Sequence, residues 1–254
     1  MSTPVVLSRT SRAEWRRIWS VRSSWVLALV TAAAVLGIGT LIGIDIANGP
    51  PPPADANAWR GGRPTAMFAL FGVLALSVVT ATADHGTGGI TPTLQWTPRR
   101  GVLLAARVGV IAATTTALGV LLVSGASVAV QLLLPTLGLP LGNGAEVLGG
   151  LALIFVTGAL LGVGTGLALR STAGGLVTVI GLVLVLPTLL AQLPYDWAVD
   201  LSAHLPGSSA MFLIYGEGPK DDMTVASSRI TLVAWAVAAV LAGGWRLLRS
   251  DAGR

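Results

Sequence analysis

Nucleotide-hydrolysing phosphate chemistry of the common kind needs a loop of the form GxxxxGK[ST], whose backbone N–H groups and lysine hold the phosphates. Lys220 is the only lysine of this chain, and it lies in Gly218-Pro219-Lys220-Asp221-Asp222, so no such loop exists. The two histidines, His85 and His204, are far apart and lack HExxH-type spacing, and no metal site is expected. Ser208 and Ser209 have no GxSxG elbow and, beside Pro206-Gly207, read as a turn. Cysteine is absent, which excludes disulfides, thiolate metal sites and cysteine nucleophiles. The expectation is a chain with no catalytic residue and no cofactor of its own.

One segment has chemistry left to offer. Asp84 to Arg107, DHGTGGITPTLQWTPRRGVLLAAR, carries a Gly-Thr-Gly-Gly turn, an aromatic and a Pro-Arg-Arg cluster. The runs on either side, Pro64 to Ala83 and Val108 to Ala145, contain no charged residue. A chain that only reverses direction at a membrane can do so in a few residues, so the segment reads as a docking surface.

The elements that position it are membrane spans. The chain is 53% hydrophobic and 11% charged with a mean hydropathy of +0.78, against about 25% charged in an average soluble domain. A hydrocarbon core about 30 Å thick is crossed by about 20 helical residues. Uncharged runs predict spans at Trp25–Ile44, Thr65–Ala83, Gly101–Val123, Leu148–Leu169, Ala173–Leu193 and Val225–Trp245. Arg107 and Arg229 stand near the starts of the third and sixth, Arg107 within snorkelling reach of the interface. The region Ser124–Ala145 stays apolar but holds Pro135 and Pro140, and either extends the third span or lies at the surface. The first run is long enough to span and is expected to be a retained anchor.

Orientation follows from the basic residues. Placing both termini in the cytoplasm puts all of them on that side except Arg60, Arg63, Lys220 and Arg229. Arg9–Ser24 reads as an amphipathic interface helix, with Trp15, Ile18, Trp19 and Arg22 at three- and four-residue spacing. Pro50–Pro53 reads as an extended spacer. Pro194–Thr224 is a long outer segment with five acids, and Ala210–Tyr215 within it is apolar enough for a short re-entrant or interfacial helix. The expected organisation is one all-α transmembrane domain over 1–254: a cytoplasmic helix at 1–24, six spans within 25–245 and a cytoplasmic tail at 246–254.

Intramembrane charge is scarce. Asp45, Asp84, Glu146 and Arg170 fall at predicted span ends. A charge at mid-membrane costs roughly 2.5–3.5 kcal/mol on the insertion scale, and its absence gives no sign of an ion relay. Gly158, Gly162 and Gly166 recur every four residues and predict a close-packing helix face. Pro187 predicts a kink in the fifth span and Pro194 its end.

Several of these stretches resemble the permease subunits of ABC exporters of the type-2 class, a family of multidrug, antibiotic, peptide and lipid-linked exporters. Glu14-Trp15 followed by Ser20-Val21-Arg22-Ser23-Ser24-Trp25 is similar to the family's acidic-aromatic start and its approach to the first span. Asp84-His85-Gly86-Thr87-Gly88 is similar to its acid-aromatic-x-x-Gly-Thr turn, and Leu94 to Arg107 to its Leu-x-x-x-Pro-Arg-Arg-x-x-x-x-Ala-[KR] run. Leu205-Pro206 and the Arg249-Ser250-Asp251-Ala252 end also fit, whereas Gly89, Thr91 and Pro92 depart from the usual Thr, Arg and Thr.

The resemblance implies a dimeric translocation path, formed with a second copy or a related permease, in a bacterial cell membrane. Separate cytosolic ATPase subunits would bind the ATP and Mg, docking on a coupling helix between spans two and three that the N-terminal helix braces. The residues implied in that contact are Asp84, His85, Gly86, Thr87, Gly88, Arg99 and Arg100, with Arg16 and Arg17 as secondary candidates. The outer segment before the sixth span, with Leu205, Pro206, Met211 and Phe212, would correspond to an extracellular gate. Nucleic acid is no expected partner. Two other readings stay open: an ion-coupled secondary transporter, and a non-transporting anchor or sensor that recruits a partner through the same segment.

Overall fold

Lipid offers no hydrogen bonds to a polypeptide backbone, so long apolar runs that enter it must satisfy their N–H and C=O groups internally as helices. The computed structural model describes residues 3–53, 55–86 and 100–249, and these are helical throughout their regular parts, with no strand among them. Six helices are long and apolar enough to cross a membrane.

The chain begins with α1 (Thr3–Ser20), breaks at the extended residue Val21 and continues as α2 (Arg22–Asn48). The short α3 (Ala58–Gly62) and a 3-10 turn (Arg63–Thr65) lead into α4 (Ala66–Gly86). After the segment 87–99, on which the expected coupling helix falls and which lies outside the described residues, comes α5 (Arg100–Leu133). Then follow α6 (Leu141–Leu169), α7 (Thr172–Ile180), α8 (Leu186–Ala191), α9 (Asp196–Ala203), α10 (Pro206–Tyr215) and α11 (Val225–Arg249).

Several boundaries differ from the hydropathy reading. Ser124 to Leu133 continues α5, whose 34 residues measure about 51 Å at 1.5 Å each, well beyond the roughly 30 Å hydrocarbon core. The helix ends before Pro135, where a 3-10 turn and Gly138, at φ 66, reverse the chain. Positive φ favours glycine, and the Gly138 carbonyl accepts from Ala58 N–H at 3.1 Å, pinning this loop to α3. The fifth span runs from Thr172 to Ala191 and contains a π-helical turn at Gly181–Val185. Pro187 has no N–H to give the Val183 carbonyl four residues back. Gly207 of α10 packs against that carbonyl, so closely that a Cβ there would overlap it.

α4 and α6 form the centre, and α2, α5, α7 and α11 pack around them. The core joins Leu70, Val73 and Leu74 of α4 to Ile154, Phe155 and Leu161 of α6. Gly158, Gly162 and Gly166 lie on the α6 face that meets α4: a Cβ on Gly158 would stand 2.6 Å from the Leu70 side chain, and one on Gly162 2.9 Å from Ser77. Gly164, on another face, abuts the Ala239 backbone of α11, and a Cβ on Gly243 would stand 2.5 Å from the Gly164 carbonyl oxygen. Glycines thus let two neighbours approach α6 at once. Outward, Leu29, Leu41, Leu121, Val177, Ile230 and Leu241 are exposed, an apolar exterior suited to lipid.

Candidate functional site

α1 turns a stripe of Thr10, Glu14 and Ile18 inward at four-residue spacing, while Trp15 faces out. An acid thus occupies a buried position on the stripe, with Arg17 one turn away. Asp84 sits in the last turns of α4 and Arg107 on the first turns of α5. The three helices bring these four residues into a closed ionic ring.

Each carboxylate in the ring bridges both guanidinium groups. Arg17 lies 2.7 Å from Glu14 and 2.6 Å from Asp84; Arg107 lies 2.5 Å from Asp84 and 3.2 Å from Glu14. The Arg17 Nη2 also donates to the Thr80 carbonyl at 3.0 Å. The Arg107 side chain is fully buried, the largest such residue in the described chain. It does not snorkel: the inward acids of α1 and α4 hold it inside. An uncompensated buried charge costs several kcal/mol, and two cations with two anions in mutual contact offset that cost. α1, α4 and α5 also meet α6 in an apolar cluster of Ile18, Ala81, Ile111, Val163 and Leu167.

Further ties join the neighbouring helices. Ser77 of α4 donates to Thr115 of α5 at 3.3 Å, and Thr82 of α4 bonds Thr172 of α7 at 2.7 Å. Arg170, in left-handed conformation at the end of α6, donates to the Arg246 carbonyl at 3.2 Å, and Arg246 donates back to the Ala168 carbonyl. Arg100 donates to the Leu248 carbonyl at 3.1 Å. Arginines at helix C-termini meet the negative end of the dipole and its unpaired carbonyls.

The predicted contact residues therefore divide. Asp84 and Arg17 are engaged in the ring, and Arg100 reaches α11. Arg16 is exposed on α1. His85 and Gly86 complete the α4 helix, and Thr87, Gly88 and Arg99 lie outside the described residues. Glu14 and Arg107 are the members that reading from the sequence did not single out as site residues. The signal was present in two charges on otherwise apolar faces, but nothing in the sequence says that they meet.

At the far end of the bundle, the segment expected as a gate forms α9 and α10. Leu205 is buried, Pro206 occupies the first turn of α10, Met211 is exposed and Phe212 half-buried. Ala210 and Ile214 join the main core, so α10 is inserted among the other helices. Ser202 donates to the Pro187 carbonyl at 2.9 Å, Tyr215 to the Pro64 carbonyl at 3.0 Å and Arg63 to the Leu213 carbonyl at 2.5 Å. Lys220 lies 2.7 Å from Asp200 and 3.6 Å from Asp222; the Asp200 hydrogen bond foremost raises its pKa above the ordinary lysine value.

No three His, Asp or Glu residues among those described stand together as a metal site. The ring holds no nucleophile, and both of its acids are engaged by arginines. It ties α1 to both α4 and α5, and α4 to α5, by ion pairs. The chain matches none of the family models and none of the curated proteins compared with it.

Proposed function

We propose that this chain is the permease subunit of an ABC exporter of the type-2 class, driven by separate cytosolic ATPase subunits that bind the ATP and Mg. The carrying observation is the Glu14–Arg17–Asp84–Arg107 ring. Asp84 and Arg107 stand on either side of segment 87–99, and both are bound to the N-terminal helix. A force applied to that segment therefore reaches α4, α5 and α1 together. In this reading Asp84, Arg17, Glu14 and Arg107 are positioning residues, while Thr87, Gly88, Arg99 and the exposed Arg16 remain for direct ATPase contact.

The arginine bias supports a cytoplasmic ring end in a bacterial cell membrane. α1 then acts as an interface helix, residues 87–99 as the coupling element, and α9–α10 as the outer gate of a dimeric path. Reconstitution with the ATPase subunits tests this. Their ATP hydrolysis should depend on the wild-type chain and fall severalfold with Asp84→Arg, while a second variant, Asp84→Arg with Arg107→Asp, restores part of it. Full activity in the single variant would contradict the coupling role.

A further inference from the structure

Four basic residues break the charge asymmetry of this chain, and three of them, Arg60, Arg63 and Arg229, line one cavity of about 360 Å³ at the end of the bundle remote from the ionic ring. They come from α3, the following 3-10 turn and α11, so only the fold unites them. Arg60 is paired at the rim with Asp55 at 2.6 Å. Arg63 gives one N–H to the Leu213 carbonyl and keeps others of its five donors. Arg229 has no acidic partner among the described residues, and Glu146 is the one acid of the lining. The first turns of α6 and α11 line the same space through Asn143 and Val225, adding the positive ends of two helix dipoles.

The cavity does not stand alone. Gly150 and Arg229 also line an apolar groove of about 880 Å³ between α6 and α11, floored by Gly149 and Leu153 and walled by Ile230, Val233, Val237 and Leu241. Nothing lies within 4 Å of where a Cβ on Gly149 or Gly150 would be, so this stretch of the groove is open. From Arg229 to Leu241 it follows α11 for about 18 Å, close to one leaflet of a hydrocarbon core about 30 Å thick. A cationic pocket joined through one arginine to an apolar channel of leaflet depth matches a molecule with an anionic head and an acyl tail.

We propose that the cavity and the groove form one binding site for an anionic phospholipid. Its phosphate lies against Arg63 and Arg229, and one acyl chain runs along the α6–α11 groove. The site is independent of the exporter reading, since it needs neither an ATPase nor transport.

Native mass spectrometry of the full chain in detergent tests it, with phosphatidylglycerol, phosphatidylcholine of the same acyl chains, and glycerol 3-phosphate as probes. Phosphatidylglycerol should be retained severalfold more than phosphatidylcholine. Arg229→Gln, an exposed change that leaves the Arg63 tie to α10 intact, should remove most of that preference. Val237→Trp, which fills the groove, should lower retention of the lipid, and glycerol 3-phosphate at equal concentration should not displace it. Equal retention of the two lipids overturns the proposal, as does an unaltered preference in Arg229→Gln. Displacement by glycerol 3-phosphate would mean a site for free phosphate alone. An oligomer split by Val237→Trp with lipid retention unchanged would make the groove an interface between two copies; either result overturns the phospholipid site.

Discussion

The Nη2 of Arg107 lies 2.5 Å from the Oδ2 of Asp84, with the Arg107 side chain wholly buried. These residues close the two helices that lead into and out of segment 87–99, and Glu14 and Arg17 complete the contact from α1. Whatever acts on that segment acts on a clamped base.

Removing the clamp's centre should be severe. Arg107→Ala leaves Glu14 and Asp84 buried with Arg17 as their one cation, and loss of one partner from a buried pair costs about 3–5 kcal/mol. Combining it with Asp84→Ala should cost less than the sum of the single changes, by about 0.5–3 kcal/mol of coupling. Thermal unfolding of the four proteins in detergent measures this; additive losses would mean the pair is not coupled.

Close approach of α6 and α11 depends on Gly164 and Gly243. Gly164→Leu forces the helices apart, a change in the class of overpacking that costs about 1–3 kcal/mol or more. Gly37, with nothing within 4 Å of its would-be Cβ, provides the comparison: Gly37→Ala should be neutral or stabilising by roughly 0.5–1 kcal/mol. Melting temperatures that fall equally for both would contradict the packing.

The π-helical turn supplies a third expectation. Gly207→Ala would push α10 off the Val183 carbonyl and loosen the Ser202–Pro187 bond beside it. Hydrogen exchange should accelerate in α9 and α10 and stay unchanged in α4. Uniform protection of α10 in the variant would show that the close contact is not needed.

Lys220 sets a pH dependence at the same end. Asp200 raises its pKa above the ordinary 10.5, so its contribution is complete below that value and is lost as pH rises through the raised one. Trp197 on α9, the helix that carries Asp200, should therefore keep its fluorescence from neutral pH to about 10 and change only above it. A transition near neutral pH would contradict the assignment. High salt should weaken this exposed tie.

Span number and helical class were legible because both rest on runs of uncharged residues, which lipid demands of every sequence that crosses it. The extension of α5 through Ser124–Leu133 was ambiguous, since hydropathy cannot tell a projecting helix from a surface segment. The inward face of α1 was harder still. Its tryptophans suggested a stripe through Trp15 and Trp19, but the helix buries Glu14 because Arg107 awaits it from a residue far along the chain. Arg107 itself resembled an interfacial arginine for the same reason. The convergence of Arg60, Arg63 and Arg229 depends on three elements meeting, and no local pattern carries that information.

The proposed exporter role requires a cytosolic ATPase to attach at segment 87–99. The chain contains no cysteine, so a single one can be placed at Thr87 for cross-linking in native membranes, with Gly218→Cys at the opposite end as comparison. Thr87→Cys should yield a covalent adduct with a nucleotide-binding ATPase subunit, with a yield that changes on adding ATP, and Gly218→Cys should yield none. An absence of any ATPase adduct at Thr87, or an equal adduct from Gly218, would contradict the account.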